Sequence, residues 1–268
     1  MTGIIDTQIP EPGLRVRLAD NLSRRFALTP RLTPDRPLVS FTFDDVPVSA
    51  TTEGAGILAE HGVRGTFYIA GSFLGTDTEH YKVVSGDDVI ALHASGHEIG
   101  CHSFSHLRTD FMGANALVTD LLRNRAALKL VEPSLPVQNF AYPYGFSSLS
   151  WKHKLQCLFN SSRTVYPAVN LGGIDRHYLN ALPLMQAQMT EDGIELALDK
   201  ASKHNGWAVF YGHDVTGRHS PYGCPPALLK HAVRAAERRG IEVATIQQGI
   251  ERFAASSVRA MKLAVGAA

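Results

Sequence analysis

From Pro37 onward, short apolar runs of strand length alternate with stretches of helical period, and this alternation restricts the possible folds more than any other feature of the chain. The runs at 38–43, 65–70, 98–101, 137–142, 164–169, 181–185, 208–211 and 242–245 read as strands, and 51–61, 87–95, 114–131, 194–204 and 227–239 as helices. Strands that take turns with helices build a parallel sheet, because parallel neighbours need a crossover long enough to hold a helix. Gly62, Gly96, Gly206 and Gly240 stand just past four of the helices, where a residue at ease in left-handed backbone ends a helix. No linker, internal repeat or low-complexity tract divides the series. The expected fold is therefore α/β, a single-domain distorted (β/α) barrel of seven or eight strands. Residues 1–36 are polar, hold four prolines and lack a period, so they read as an N-terminal extension that wraps the domain or is partly mobile, with the main domain at 37–268.

A chain of 268 residues, 44% hydrophobic, can bury a sizeable core. With 26 basic and 25 acidic side chains its formal charge is +1, which leaves no overall footprint for nucleic acid or an anionic membrane. The first twenty residues lack a basic segment followed by an apolar core, and no run approaches ~18 apolar residues, so neither a signal peptide nor a transmembrane segment is expected. A cytoplasmic location is the default. Cys101, Cys157 and Cys224 are odd in number and widely spaced, which argues against a disulfide framework and fits a reducing compartment.

The chemistry concentrates in two places. His102 and His106, four positions apart, can lie on one side of a helical turn with Cβ atoms ~5–6 Å apart, close enough to share a metal ion. A third ligand can come from Asp44-Asp45 at the end of a buried strand, one carboxylate binding the ion and the other acting as a base. That makes a kit for metal-assisted hydrolysis: a Lewis acid with an open position, a water and a proton acceptor. Taken alone, each pattern has a plainer reading, as ordinary histidines on a helix and as turn or capping acids before Pro47. Their placement favours chemistry. Asp44, Asp45, His102, Tyr144 and His213 all fall just beyond the C-terminal ends of predicted strands, the face where barrel active sites assemble.

Over residues 37–250 these segments resemble, in order and spacing, the polysaccharide deacetylases with a NodB homology domain, carbohydrate esterase family 4. Thr42-Phe43-Asp44-Asp45 is similar to the first family motif, which implies Asp44 as general base and Asp45 as metal ligand. His102-Ser103-Phe104-Ser105-His106 resembles the second, which implies His102 and His106 as the other two ligands. Val209-Phe210-Tyr211-Gly212-His213 resembles the last, which implies His213 as general acid. Pro143-Tyr144-Gly145 is similar to the end of the third motif; it is either a tight turn or the place where the Tyr144 backbone N–H helps hold an oxyanion.

Two departures stand out. Ala141 occupies the position of the third motif's arginine, which opens the question of what orients Asp44; Arg163 and Arg176 are candidates from other loops. The fourth motif, an acid and a tryptophan, is not recognisable. Trp151 reads as a packing aromatic and Asp175 as a candidate replacement acid. Asp214 is either a solvated loop acid or an orienting group. Cys101 alternates away from His102 on its strand and is not expected to ligate, while His97, His177 and His219 read as solvated or structural.

The resemblance implies one divalent ion, with zinc the first choice for two imidazoles and a carboxylate and cobalt, nickel or manganese also compatible. It implies a hydrolase that removes an N-acyl group, acetyl foremost, from an amino sugar in a polysaccharide or its nucleotide- or lipid-linked precursor, for example in envelope or O-antigen biosynthesis. The alternatives are a hydrolase of another linear or cyclic amide, or a catalytically weak carbohydrate-binding relative, a reading prompted by Ala141 and the missing fourth motif.

Overall fold

The computed structural model describes residues 12–108 and 111–266. In chain order the elements are α1 (Leu14–Arg25), β1 (Leu38–Asp44), α2 (Ala55–Glu60), β2 (Thr66–Ile69), α3 (Gly86–Ala94), β3 (Glu98–Cys101), α4 (Ala114–Val131), β4 (Asn139–Ala141) and α5 (Leu149–Leu155). They continue with β5 (Ser161–Arg163), β6 (Leu182–Pro183), α6 (Glu191–His204), β7 (Trp207–Gly212), α7 (Pro226–Arg238), β8 (Glu242–Val243) and α8 (Ile246–Gly266). Among the described residues no helix is long and apolar enough to cross a membrane.

Every strand pairing in the sheet is parallel, in the order β5-β4-β3-β2-β1-β7-β6, with β8 beside the start of β1. The segment 179–183 joins the two ends of this order. Leu179 bridges Arg163 on β5, and three residues later Leu182 pairs with Phe210 on β7, so the sheet curls into a distorted barrel. The two-residue period of a strand then separates inside from outside. On β1, Val39, Phe41 and Phe43 face the helices, where Phe41 stacks on Phe210 and Phe43 on Phe67 at ring-centre distances of 5.7 and 4.9 Å. Leu38 packs in a second, inner cluster with Tyr68, Ala141, Trp207, Val209 and Tyr211.

The floor of the barrel is polar but satisfied. Glu98 accepts from Thr66 Oγ1 (2.9 Å), from Asn139 Nδ2 (2.5 Å) and from the Gln247 N–H in the first turn of α8 (2.9 Å). Ser161 donates to Asn139, and Trp207 Nε1 donates to Ser40, whose hydroxyl donates to the Ala244 carbonyl. An acid at a helix N-terminus meets both free N–H groups and the positive end of the helix dipole, so α8 is anchored as the plug of this end. Phe253 of α8 meets Trp207 edge-on at 5.6 Å. Truncating either ring would cost about 3–5 kcal/mol.

Several expectations need correction. The strand predicted at 164–169 lies three residues earlier, as β5, because buried Ser161 and Arg163 point into a polar interior and give no apolar signal. Helices α1, α5 and α8 were not predicted. Gly62, Gly96 and Gly240 do take left-handed backbone (φ 67°, 83° and 62°), but at the end of α6 that role falls to Asn205, with φ 49°. Gly206 serves a different need, since a Cβ there would lie 2.4 Å from a Leu171 methyl.

Of the extension, 1–11 lie outside the described residues, whereas α1 is docked on the barrel. The buried Lys152 of α5 donates to the Ser23 and Phe26 carbonyls (2.7 and 2.8 Å) and pairs with Asp175 at 2.5 Å. Asp20 of α1 accepts from the Ser147 N–H (3.0 Å) and from the Tyr178 hydroxyl (2.7 Å).

Candidate active site

Asp44 closes β1 on its inward side. In a continuing strand Asp45 would face the helices, but its backbone turns left-handed (φ 55°), as does that of Val46 (φ 47°). Both carboxylates consequently line one cavity of about 810 Å³ at the C-terminal end of the barrel. The two histidines reach the same cavity from the loop after β3. They do not ride on a helical turn, contrary to the sequence expectation. Ser103 (φ 60°) and His106 (φ 51°) make tight left-handed bends, and the His106 N–H donates to Ser103 Oγ at 3.1 Å. Asp120 of α4 fixes the arc between them by accepting from the Phe104 and Ser105 N–H groups (2.8 and 3.2 Å). Asn124, one turn on, accepts from the Gly71 N–H and donates to Ile69 O and Cys101 Sγ. Cys101 thus faces α4 and takes no part in the site.

Nε2 of His106 lies 3.2 Å and Nε2 of His102 3.9 Å from Asp45 Oδ1, and the potential ligand atoms of the three residues all lie within 4.8 Å of one another. His102 Nδ1 sits 2.9 Å from the Ala141 carbonyl, which as acceptor fixes the proton on Nδ1 and leaves Nε2 a lone pair. Burial pushes the imidazole pKa values down, to about 4 for His102 and about 3 for His106, so both rings are neutral near pH 7. Asp45 Oδ1, buried, accepts no hydrogen bond from the described residues, and burial pushes its carboxyl up against the pull of His102 and His213. Two neutral nitrogens and an unsatisfied carboxylate oxygen are a donor set short of one cation. The residues fit a divalent metal ion.

Asp44 is equally buried yet shifted the other way. Burial raises its carboxyl, but the Arg163 guanidinium, helped by His102 and His213, outweighs that and holds it below the usual range. Arg163 Nη2 donates to both Asp44 oxygens, and the guanidinium lies 5.2 and 5.1 Å from the ring centres of Tyr68 and Tyr211. Neighbouring acids pushed in opposite directions mark a division of labour.

His213, one residue past β7, places Nε2 4.0 Å from Asp45 Oδ2 and Nδ1 3.3 Å from the Tyr222 carbonyl. Its loop is shaped by Asp214, which is buried rather than solvated and accepts from the Ser220 N–H and hydroxyl, both at 2.6 Å. Tyr144 has left-handed backbone (φ 60°), and its ring centre lies 4.9 Å from that of His106. Asp45, Ser103, His106 and Tyr144 are thus all non-glycine residues at positive φ, each at a cost of about 1–3 kcal/mol. Strain gathers at this site. Tyr81, which sequence reasoning missed, donates to Asp45 Oδ2 at 3.4 Å and lines the cavity with His80 and Tyr222. Nothing in its sequence context announced it.

A model of the polysaccharide deacetylase family matches residues 31–156. Over those residues, a little under half of the chain, it is similar to the polysaccharide deacetylases. A chitin deacetylase of Pestalotiopsis sp is 24% identical over 77% of this chain and 61% of its own length. For a chitooligosaccharide deacetylase of Sinorhizobium fredii the figures are 28%, 44% and 52%. The chain thus spans about half to three fifths of these relatives. A family 4 acetyl xylan esterase from Clostridium thermocellum, solved with a cobalt ion, shares the fold with a TM-score of 0.57 at 20% identity, covering 79% of this chain and 89% of that one.

Within this site the departures from the resembled motifs find physical answers. Ala141 is the register partner of Arg163 across β4 and β5, so the arginine on Asp44 comes from the adjacent strand. Arg176 is not required for that contact. Asp175, the candidate replacement for the fourth motif's acid, is instead tied to Lys152, and His213 Nδ1 faces a backbone carbonyl. Trp151 packs in the outer core, as expected, and buried His97 accepts from the Gly65 N–H.

Proposed function

We propose that the protein is a metal-dependent hydrolase that removes an N-acyl group, acetyl foremost, from an amino sugar. The observation that carries the reading is the pairing of an ionised Asp44, held by Arg163, with the cation-deficient Asp45, His102 and His106 beside it in one cavity. The names of the relatives, deacetylases of chitin and of chitooligosaccharides, support it.

Asp45, His102 and His106 would hold one divalent ion, with zinc favoured by this donor set and cobalt, nickel or manganese compatible. When bound, such an ion supplies Lewis acidity, which polarises an acyl oxygen and lowers the pKa of water from ~15.7 toward ~7. Asp44, kept deprotonated by Arg163, takes the proton of the attacking water. The Tyr144 backbone N–H, at the bend beside His106, supports the oxyanion. His213 returns a proton to the departing amine, its ring held by the Tyr222 carbonyl. Tyr81 steadies Asp45 through its second oxygen. The aromatic walls, Tyr81, Tyr144, Phe146, Tyr211 and Tyr222, offer flat apolar faces to a sugar ring.

The substrate we favour is a sugar on a nucleotide or lipid diphosphate, of the kind used in envelope assembly, rather than a long polymer. Pro12 and Arg17 of the N-terminal extension wall the cavity on one side, where a polymer would need an open groove. A single zinc-loaded preparation assayed for acetate release from nucleotide- or lipid-linked N-acetyl sugars and from chitooligosaccharides tests both levels. Release from neither class would reject the deacetylase; a clear preference for the oligosaccharides would reject the precursor alone.

A further inference from the structure

Helix α1 carries apolar side chains on the wrong side for a docked helix. Leu14, Leu18 and Leu22, with Phe26 just past its end, are 73%, 54%, 48% and 55% exposed. They recur every four residues, so they form one stripe along a helix about 18 Å long. The opposite side is the one that docks, through buried Ser23 and through Asp20. Among the described residues the stripe belongs to no core.

Charge narrows what covers it. The helix holds four arginines, Arg15, Arg17, Arg24 and Arg25, and a single acid, Asp20, which is occupied by Ser147 and Tyr178. Exposed Arg15 and Arg25 border the leucines, and no acidic side chain of α1 accompanies them. A second copy of the helix laid on this stripe would bring arginines against arginines. An anionic partner would not. The overall charge of +1 conceals this local excess.

Position narrows it further. The N-terminal end of α1 borders the cavity through Pro12 and Arg17. From a separate loop Leu107 and Phe111, 51% and 64% exposed, flank Arg108, which lines the same cavity. Exposed apolar side chains thus stand on two elements that each border the opening, which suits a broad, deformable surface better than a groove cut for a single helix. We propose that α1, with Leu107 and Phe111, seats the cavity mouth on an anionic lipid surface, the leucines dipping below the head groups and the arginines reaching up to the phosphates. This proposal does not depend on which amide the site cleaves.

The test is sedimentation of the full chain with vesicles of phosphatidylcholine containing phosphatidylglycerol, and with vesicles of phosphatidylcholine alone. Wild type should pellet with the first and far less with the second, and added salt should release it. Each buried methylene changes partitioning roughly fourfold, so the double variant Leu18→Asp, Leu22→Asp should bind at least tenfold less. The variant Arg15→Glu, Arg25→Glu, which keeps the leucines, should lose only the preference for the anionic vesicles. Both change exposed positions outside the cavity, and an unaltered melting temperature would show that they fold. Wild type that stays in the supernatant, or a Leu18→Asp, Leu22→Asp protein that pellets equally well, overturns the proposal. So does a vesicle-free dimer abolished by the same double variant, which would make the stripe a contact between copies.

Discussion

Arg163 of β5, directly across the sheet register from Ala141 of β4, donates to both carboxylate oxygens of Asp44. The arginine that the third motif's resemblance would put at position 141 is thus supplied from the neighbouring strand. Ala141 is fully buried and faces the barrel interior, so the small side chain leaves the space that Arg163 fills.

This relocation predicts a pH effect with a definite sign. Arg163 lowers the Asp44 pKa, and the base works only when deprotonated, so Arg163→Met should raise that pKa and move the acid limb of the kcat/KM profile to higher pH. Adding Ala141→Arg to that variant should move the limb part of the way back. A limb that stays in place in Arg163→Met would show that the guanidinium does not set the base.

Metal content should separate ligands from proton carriers. His106→Ala should lose most of the bound metal by elemental analysis, whereas Asp44→Asn should keep it and lose on the order of 10²–10⁴ in rate. His213→Ala should resemble Asp44→Asn. Full occupancy in His106→Ala would remove that residue from the site.

Lys152→Met should loosen α1. It leaves Asp175 buried without its cation and removes two bonds to the Ser23 and Phe26 carbonyls, and breaking a buried pair costs about 3–5 kcal/mol. A lower melting temperature together with early proteolytic cleavage between residues 14 and 36 is expected. Unchanged protease resistance would mean that other contacts hold the helix.

Stability should fall on mild acidification. Burial, with the nearby Arg64 charge, pushes His97 down to about 4 from an ordinary 6.5, and the Gly65 N–H occupies its Nδ1. Between those values the unfolded chain binds a proton that the folded state refuses. The contribution is therefore complete above about pH 6.5 and is lost as pH drops toward 4, at up to about 1.4 kcal/mol per pH unit for one site. Urea midpoints at pH 7 and pH 5 should differ less in His97→Gln than in wild type.

What was legible followed from alternation and from motif spacing. The runs that became β1, β3 and β7 are apolar on the helix side and were placed nearly to the residue, and with them Asp44, Asp45, His102 and His213. β5 was misplaced because its inward residues, Ser161 and Arg163, are polar and find their partners only in the folded barrel. The turn that carries the histidines was misjudged because a four-residue spacing says nothing of the left-handed bends at Ser103 and His106. Its support was partly readable, since Asp120 and Asn124 interrupt the buried side of α4 formed by Leu117, Leu121 and Leu128. In α1 the leucines Leu14, Leu18 and Leu22 are only three, set among four arginines and between Pro12 and Pro30, too short a run to stand out as a helical period.

The pairing of β1 has a consequence for how the protein is made. Its first neighbour, β2, leaves the ribosome about twenty residues after it, but β7 and β8 follow only at Trp207 and Glu242, about 160 and 200 residues later. Until then the strand that ends in Asp44 has an open, apolar edge, the kind of segment that joins other chains when it is left waiting. Contacts between such distant parts of a chain also form slowly. Yield of the folded protein should therefore depend on translation speed and on chaperones, and truncations before α7 should accumulate as aggregates rather than as a smaller barrel.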